Sequence, residues 1–441
     1  MINACVMSRE ASEAMHDHAA ACRICFVCKH AHPLFDPSDP APIGGAETHA
    51  YTLARALADR GDLQVSFLLE APRRDRSWLA GGIRIVNSGD GFDRWRNSVA
   101  RCIEMSSAFP WLRVRQWQWP LLWQVPVLAA RRPLRPRGLD PRTPSQTIAD
   151  IAADAYCCFG VSAYSANAIA TARADSRRSL LFLMSNDDLN PQFQPQADFV
   201  TPYGERGDVC RYVIDQADLI IAQHELQQRH LRERFDRDST ILPNPIDLEE
   251  WDRLAAASSP SLDRLAVDRF VLWIGRADRF HKRPQLALQL AEQLPDVRFL
   301  MLLNPRDRDV ARQITGNHPP NVTIVESVPF TEMPSLFARA AAYVSTGSAD
   351  YEGAPNVFIQ SAASSVPIVS LEVSAPVILE GGGFVADGDL HRLAQRLREY
   401  WTNQDTARAI GAQGRAFAEQ HHISSAIAER LLQIVRHESS R

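Results

Sequence analysis

Lysine is almost absent from this sequence, which also has no long apolar run. Only Lys29 and Lys282 are lysines among the 48 basic residues, so each stands out against a background of arginine. The longest mostly apolar run, near residues 120–130, is far shorter than the roughly 20 residues that a membrane-spanning helix needs. The first twenty residues hold no apolar core, which predicts that there is no secretory signal. The eight scattered cysteines are typical of reduced thiols.

A strong excess of charge is absent as well. The formal net charge is -4 over 441 residues, so the chain as a whole carries no footprint of nucleic-acid binding. The hydrophobic share of 45% and the charged share of 23% are those of an ordinary soluble globular protein. This length suggests two or three domains, each able to bury its own core, and we expect a cytoplasmic protein.

The first elements that the sequence predicts are a strand, a glycine-rich turn, a helix and a second strand. Residues 23–29 read as a buried strand, and GGAETHAYTLARALADRG follows at 44–61. Leu53 and Leu57 are four residues apart and share a helical face, and another strand begins at Leu63. This succession is a βαβ unit, which predicts a parallel sheet.

The same alternation appears later in the first half and throughout the second half. Apolar strands begin at Asp154, Ser179, Ala217 and Thr240, whereas residues 72–150 are expected to be irregular. In the second half the predicted strands are FVLWIGR, VRFLMLL, NVTIVE, AAYVSTG and PIVSLEV, and the predicted helices are PQLALQLAEQL, PNVFIQSAASS and LHRLAQRLREYW. The pattern favours an α/β protein of two Rossmann-like domains whose parallel sheets face a cleft.

The domain boundaries follow from where the pattern restarts. We expect a first domain over residues 1–245, of which 1–22 are disordered, and a second over 246–425. A last helix over 426–441 is expected to pack back on the first domain.

Two basic residues follow the first strand of the second domain. Arg276 comes directly after FVLWIG, and Lys282 stands just before Pro284, which suits the first turn of a helix. The N-terminal end of a helix offers free backbone N–H groups to an anion, and a guanidinium with an ammonium suits a diphosphate. The alternative is a solvated loop with two surface charges, which the rarity of lysine makes less favoured.

A second polar segment follows the strand AAYVSTG. In the turn before the next helix, Glu352 can accept hydrogen bonds from sugar hydroxyls, or it can simply cap that helix. Gln360 is expected two turns into the helix, on one face with Asn356. The axial separation of Glu352 and Gln360, roughly 12 Å at about 1.5 Å per residue, suits a hexose, a diphosphate and a ribose in a row.

Four segments in order resemble glycosyltransferase family 4, whose members are retaining enzymes of the GT-B fold. They are GGAE from Gly44, PNPIDLEEW, GRADRFHKRP and EGAPNVFIQSAASSVPIVS, and the resemblance covers residues 23–425. It implies that Glu352, Arg276 and Lys282 carry catalysis. It also implies a donor site formed by Gly44, Gly45, Arg276, Lys282, Val328, Glu352, Gly353, Ala354, Pro355, Asn356, Val357 and Gln360. A nucleotide sugar would be the co-substrate, and neither a cofactor nor a metal is implied.

The chain departs from the family at two positions. Gln360 replaces the usual ribose-binding Glu, so weaker donor binding is expected. Phe159 lies nearest the place of an acceptor-side His, for which His30 or His32 could substitute. These departures keep a second hypothesis open, in which the protein binds a nucleotide or glycan without turnover. Another GT-B activity, epimerase or phosphorylase, is less favoured because a phosphorylase needs a lysine for pyridoxal phosphate.

One stretch of the first domain is basic and rich in tryptophan. Residues 91–142 hold ten Arg, three acidic residues and five of the nine Trp. Such a composition suits either an anionic membrane surface or a domain surface with packed Trp and solvated Arg. The leading hypothesis is therefore a hexosyltransferase of surface polysaccharide or glycoconjugate synthesis, acting on a glycan or lipid-linked acceptor, with peripheral contact at the cytoplasmic membrane face.

Overall fold

The computed structural model describes residues 22–437 apart from a few short gaps. The gaps are residues 40, 42, 74, 90, 106–111, 115–116, 132–139, 197, 266–267 and 306. The segment predicted to be disordered, 1–22, lies outside the described residues except for Cys22.

The first domain is built on a parallel sheet with helices on its faces. Its strands are β1 (Arg23–Val27), β2 (Gln64–Leu69), β3 (Ser77–Ala80), β4 (Ile83–Asn87), β7 (Ala155–Phe159), β8 (Arg178–Phe182), β9 (Leu219–Ala222) and β10 (Thr240–Ile241), with β5 (Ile103–Met105) and β6 (Leu112–Val114) in a separate hairpin. Among the described residues the sheet has eight strands in the order β10-β9-β8-β7-β1-β2-β4-β3. All its pairs are parallel except β3 with β4.

Apolar runs in the sequence explain the central strands. Every residue of β7 is buried, as expected of a strand covered by helices on both faces. The described helices of the first domain are α1 (His32–Phe35), α2 (Gly45–Ala58), α3 (Gly91–Cys102), α4 (Leu121–Arg131), α5 (Gln146–Ala149), α6 (Ala163–Ala174), α7 (Gly207–Gln216) and α8 (Glu225–Phe235). Leu53 and Leu57 of α2 are both buried in the core, as their spacing predicts.

The expectation that residues 72–150 are irregular is wrong. Strand β3 turns back onto β4 as a hairpin, and α3, α4 and α5 follow it. The hairpin escaped notice because β3 has only four residues and is only half buried, so its apolar run from Trp78 to Ala80 is too short to mark a strand. The two-residue turn between its strands, Gly81 and Gly82, has positive φ at both positions, as glycine readily allows.

The second domain repeats the architecture. Its strands are β11 (Phe270–Arg276), β12 (Phe299–Asn304), β13 (Val322–Val325), β14 (Ala340–Ser345), β15 (Ile368–Ser370) and β16 (Gly383–Val385). They pair in parallel in the order β13-β12-β11-β14-β15-β16. The helices are α9 (Leu248–Ala255), α10 (Pro260–Leu265), α11 (Pro284–Gln293), α12 (Arg308–Gly316), α13 (Met333–Ala338), α14 (Asn356–Ala363), α15 (Leu390–Thr402), α16 (Gln404–His421) and α17 (Ser424–His437). The predicted pair of Rossmann-like domains is confirmed.

The chain passes between the two sheets twice at one place. Ile246, on the way out of the first sheet, forms a parallel bridge with Ile423, just before α17. Ile427 and Leu431 of α17 are fully buried in the hydrophobic cluster that also holds β1, β2 and α2. The two sheets are therefore joined by a double connection, and the last helix lies on the first domain.

Candidate active site

Glu352 is the centre of a buried group of charges in the second domain. Its carboxylate Oε1 forms an ion pair with the ammonium of Lys282 and lies 2.8 Å from Nε2 of His281. Lys282 and His281 belong to the loop after β11, whereas Glu352 follows β14, and these strands are neighbours in the sheet. The carboxyl ends of two parallel strands thus bring the predicted cation and the predicted carboxylate together.

The pKa of Glu352 depends on two opposing effects, burial and the neighbouring Lys282 and His281. Burial by itself raises the pKa of a carboxyl group, because the charged form loses its water. The positive charge of Lys282 and the contact with His281 outweigh burial and hold the pKa of Glu352 well below its ordinary value. Glu352 is therefore a carboxylate, which accepts hydrogen bonds and does not donate them.

The possibility that Glu352 merely caps the following helix is excluded by where α14 begins. The N-cap of α14 is Pro355, with no side-chain capping bond, and the helix starts at Asn356. This also corrects the expected position of Gln360. It lies one turn into the helix and not two, because residues 352–355 form a loop before the first helical residue.

The loop between Arg276 and Lys282 is shaped by Asp278. Its Oδ1 accepts the backbone N–H groups of His281 and Lys282 at 2.7 Å each, and its Oδ2 accepts Nε of Arg276 at 2.8 Å. Backbone N–H groups were expected to receive an anion at this helix start. Those of His281 and Lys282 are already bonded to Asp278, so side-chain cations carry the positive charge here.

Arg276 also reaches the first domain. Its guanidinium stacks over the ring of Tyr203, 4.9 Å from the ring centre, and donates to the Tyr203 hydroxyl. It also contacts Nδ1 of His281. The cation of the second domain therefore lies in the cleft, against a loop of the first domain.

Side-chain amides hold the loop before α14 against the first domain. Asn244 donates to the carbonyl of Ala354 at 2.7 Å and to the side chain of Asn356 at 2.6 Å. Gln223, at the end of β9, donates to Asn244 at 2.8 Å, and its Oε1 accepts the N–H of Ala354 at 3.4 Å. Asn356 completes the link by donating to the carbonyl of Gly45 at 2.6 Å.

A cavity of about 240 Å³ lies beside this link, between α2 and the second domain. Asn356 and Gln360 line it from α14, Tyr51 and Arg55 from α2, and Phe330 from the loop after β13. Gln360 is buried. Asn356, the first residue of α14, lines the cavity and comes four residues after Glu352 in the sequence. The polar cluster and the cavity therefore flank the start of one helix.

The remaining predicted residues lie in several places. Gly44 is the N-cap of α2, so its loop faces Asn356 through Gly45. The side chains of Val328 and Val357 pack against the second core, which leaves their backbones to serve a ligand. Among the described residues, no three His, Cys, Asp or Glu side chains are grouped as a metal site requires.

The candidate acceptor-side residues are engaged elsewhere in the first domain. His32 is buried with its Nδ1 2.7 Å from Asp39. Phe159 stacks on Phe182 with ring centres 4.4 Å apart, and His49 packs edge-on against both rings.

Sequence reasoning missed His281, Asp278, Tyr203, Asn244 and Gln223. His281 and Asp278 stand inside the segment GRADRFHKRP, so their proximity to Arg276 and Lys282 was an available signal. Tyr203 and Gln223 come from loops far away in the chain, and no local pattern marks them. Asn244 stands in PNPID at the domain junction, where a buried amide is a natural link.

Solved structures with the same architecture match nearly the whole chain. Sucrose-phosphate synthase from Thermosynechococcus elongatus is 17% identical, with a TM-score of 0.66 over 95% of this chain and 99% of that one. Trehalose-6-phosphate synthase OtsA is 13% identical, with a TM-score of 0.63 over 94% and 99%. HepE from Anabaena is 16% identical, with a TM-score of 0.59 over 94% and 99%. Comparison of the sequence with curated proteins found no match.

The two facing domains have the GT-B fold that these solved structures share. Within the second domain, residues 268–403 match the model for glycosyl transferases group 1. That stretch is therefore similar to the glycosyl transferases group 1 family, and it contains two of the four segments that carry the resemblance, GRADRFHKRP and EGAPNVFIQSAASSVPIVS, so the match supports that resemblance.

Proposed function

We propose that the protein is a retaining hexosyltransferase that moves a sugar from a nucleoside-diphosphate donor to a glycan or lipid-linked acceptor. The observation that carries this proposal is the buried carboxylate of Glu352 in contact with Lys282 and His281. Together with Arg276, these residues provide positive charge for a diphosphate and an acceptor of hydrogen bonds for a sugar. The pathway proposed is synthesis of a surface polysaccharide or glycoconjugate.

The donor is proposed to run along the start of α14. The sugar binds Glu352, the diphosphate binds Arg276 and Lys282, and the nucleoside enters the cavity beside Asn356 and Gln360. The similar HepE structure is a complex with UDP and glucose, which supports a site of this kind in the fold. Gln360 can hydrogen-bond a ribose hydroxyl, although without the charge of a carboxylate.

The chemistry follows from where negative charge develops. As the bond between the sugar and the diphosphate breaks, charge grows on the leaving oxygen, and Arg276 with Lys282 stabilises it. The acceptor oxygen forms the new glycosidic bond on the face that the diphosphate leaves, and its proton passes to a diphosphate oxygen. Closure of the cleft, in which Tyr203 stacks on Arg276, is proposed to exclude water from this step.

The acceptor is proposed to be presented at a membrane. In the described part of the basic stretch, Trp117, Trp119 and Trp123 are exposed, whereas Trp95 packs against a small cluster around Val99. Exposed Trp beside an excess of Arg suits contact with anionic lipid. Among the described residues, no helix is long and apolar enough to pass through a bilayer, so the proposed contact is peripheral.

A second candidate function is donor or glycan binding without turnover. The observation that favours it is Gln360, an amide where a ribose-binding carboxylate is expected from the family. Both functions predict binding of a nucleotide sugar, and only the first predicts release of nucleoside diphosphate.

The decisive experiment is a thermal-shift screen with UDP-, GDP- and ADP-sugars, followed by an assay of nucleoside diphosphate release. Glu352→Gln and Lys282→Met should each abolish release. Lys29→Met is the matched control, since the ammonium of Lys29 is half exposed and pairs with Glu70 at 3.3 Å. Normal turnover in the Glu352 or Lys282 variant contradicts the site, and binding without release selects the second function.

A further inference from the structure

His281 touches both the carboxylate of Glu352 and a residue of the first domain. Its Nε2 lies 2.8 Å from Oε1 of Glu352, and its Nδ1 lies 3.4 Å from the hydroxyl of Tyr203. The imidazole is only 11% exposed and stacks on the ring of Tyr351, with ring centres 5.8 Å apart. One buried side chain thus joins the first domain to the group proposed to bind the sugar.

The neighbours of the two ring nitrogens fix the tautomer of His281. Nε2 faces a carboxylate oxygen, which can only accept, so Nε2 carries the hydrogen. Nδ1 faces an N–H of Arg276, which can only donate, and the hydroxyl of Tyr203, which can donate. With its hydrogen on Nε2, the ring turns a donor toward the Glu352 carboxylate and an acceptor toward Arg276 and Tyr203.

The backbone of His281 is held as firmly as its ring. The N–H donates to Asp278 at 2.7 Å, and the carbonyl accepts the N–H of Ser348 at 2.9 Å. These bonds tie the residue to the end of β11 and to the loop after β14. A ring with so little freedom can hold a carboxylate in one orientation.

We propose that His281 is a positioning residue for the donor sugar. It fixes the carboxylate of Glu352 so that the remaining oxygen can accept a sugar hydroxyl. This inference rests on the proposed function, in which the ammonium of Lys282 serves the diphosphate. When the diphosphate draws Lys282 away, His281 remains as the partner that keeps the Glu352 carboxylate in place.

The proposal predicts different effects of His281 on the binding of the sugar and on the binding of the nucleoside diphosphate. Because His281 acts through Glu352, its loss should weaken binding of a nucleotide sugar without weakening binding of the nucleoside diphosphate alone. A role in the diphosphate site would weaken both ligands equally. The ratio of the two dissociation constants therefore isolates the contribution of the sugar.

The test is calorimetric titration of four proteins with UDP, GDP and ADP and with the corresponding glucose conjugates. His281→Phe keeps a ring against Tyr351 but cannot donate, whereas His281→Gln offers an amide N–H in place of Nε2–H. His318→Gln is the control, because His318 is exposed in the same domain. We expect His281→Phe to lose roughly tenfold or more of the sugar contribution, with nucleoside diphosphate binding changed by less than about threefold. His281→Gln should recover most of that loss.

Three results overturn the inference while leaving the proposed function standing. They are an unchanged ratio in His281→Phe, an equal loss for both ligands, and a His281→Gln variant as impaired as His281→Phe. A wild-type protein that binds none of these nucleotide sugars overturns the proposed function and, with it, this inference.

Discussion

The side-chain amide of Asn356 donates a hydrogen bond of 2.6 Å to the backbone carbonyl of Gly45, across the cleft between the two domains. Asn356 is the first residue of α14, and Gly45 is the first residue of α2. The N-terminal ends of two helices from different domains therefore meet at this bond. Asn244, in the segment that joins the domains, bonds the same side chain.

Removing the amide should loosen the closed arrangement. Asn356→Ala deletes the bonds to Gly45 and Asn244, each worth about 0.5–1.5 kcal/mol. We expect a larger radius of gyration in small-angle scattering and slower sugar transfer, with little change in the melting temperature of each domain. Asn317→Ala, at an exposed amide after α12, should behave like the wild type. An Asn356 variant with unchanged scattering and transfer would show that the bond does not hold the domains.

Gly353 is closely covered by the first domain. A Cβ built there would lie 2.8 Å from Oε1 of Gln223 and 2.9 Å from Nε2 of Gln227, both of them buried amides. We expect Gly353→Ala to force the loop away from Gln223, at a cost of about 1–3 kcal/mol, and to reduce donor binding. Gly316→Ala is the control because no atom lies within 4 Å of its added Cβ. Equal unfolding midpoints for the two variants would contradict the close approach.

Lys282 and Glu352 give a prediction about pH. The pKa of Glu352 is below its ordinary value of about 4.3, so its ion pair stabilises the fold above that pH. This stabilisation is lost as the pH falls through the lowered pKa. In Lys282→Met the positive charge that offsets the effect of burial on the pKa of Glu352 is lost, so this pKa should rise. The unpaired carboxylate should then destabilise the fold at neutral pH by about 3 kcal/mol.

Denaturant unfolding at pH 7 and pH 4 checks this prediction. The gap in free energy of unfolding between the wild type and Lys282→Met should narrow at the lower pH, where the buried carboxyl can take a proton. The double variant Lys282→Met with Glu352→Gln should recover stability at pH 7, since it removes the unpaired charge. A gap that is equal at both pH values would mean that the pair does not set the pKa of Glu352.

The closeness of Lys282 and Glu352 could be predicted from the sequence, because both lie in loops that follow neighbouring apolar strands, and Arg276 ends the first of these strands. Parallel topology sends such ends to one edge of a sheet, so Arg276, Lys282 and Glu352 were bound to be neighbours. The rarity of lysine singled out Lys282 further. Their partners were harder to find, because Tyr203 and Gln223 reach the site from loops whose course depends on packing between the domains.

Burial explains the other successes and failures. Five of the six described strands of the second domain were predicted, because strands covered on both faces have apolar runs in their sequence. Strand β16 was missed because it has only three residues and is only partly buried. Strand β3 alternates between exposed and partly buried residues, so it resembles a loop, and β4 has only five residues, interrupted by the exposed Arg84. Gln360 was placed one turn too deep because the loop residues 352–355 were counted as helix.

His49 gives a second prediction about pH. Burial, with a smaller contribution from His422, lowers the pKa of His49 to about 3, and neither ring nitrogen has a hydrogen-bond partner within the described residues. A lowered pKa means that stability is present above the unfolded value of about 6.5 and is lost as the pH falls toward 3. At pH 5 the loss should be about 2 kcal/mol.

Replacement of His49 by Leu removes this sensitivity. The free energy of unfolding of His49→Leu relative to the wild type should be higher at pH 5 than at pH 8 by that amount. His422, whose pKa is also lowered by burial, remains in the variant, so some loss of stability in acid should persist. His318→Leu, at an exposed position, is the control. The same difference at both pH values would rule out His49 as the source.

The last prediction concerns the proposed membrane contact. Trp119 is 75% exposed and Trp123 is 57% exposed, in a stretch with seven more Arg than acidic residues by the counts of ten and three. Aromatic side chains of this kind insert at the level of lipid headgroups, while arginines are drawn to anionic lipid. We expect the protein to float with phosphatidylglycerol-containing vesicles at low salt and to be released as salt screens the charges.

Trp119→Ala with Trp123→Ala should abolish flotation, whereas Leu79→Ala, at a residue 73% exposed on β3, should not. Quenching of Trp fluorescence by an oligosaccharide without flotation would instead assign this surface to a glycan acceptor.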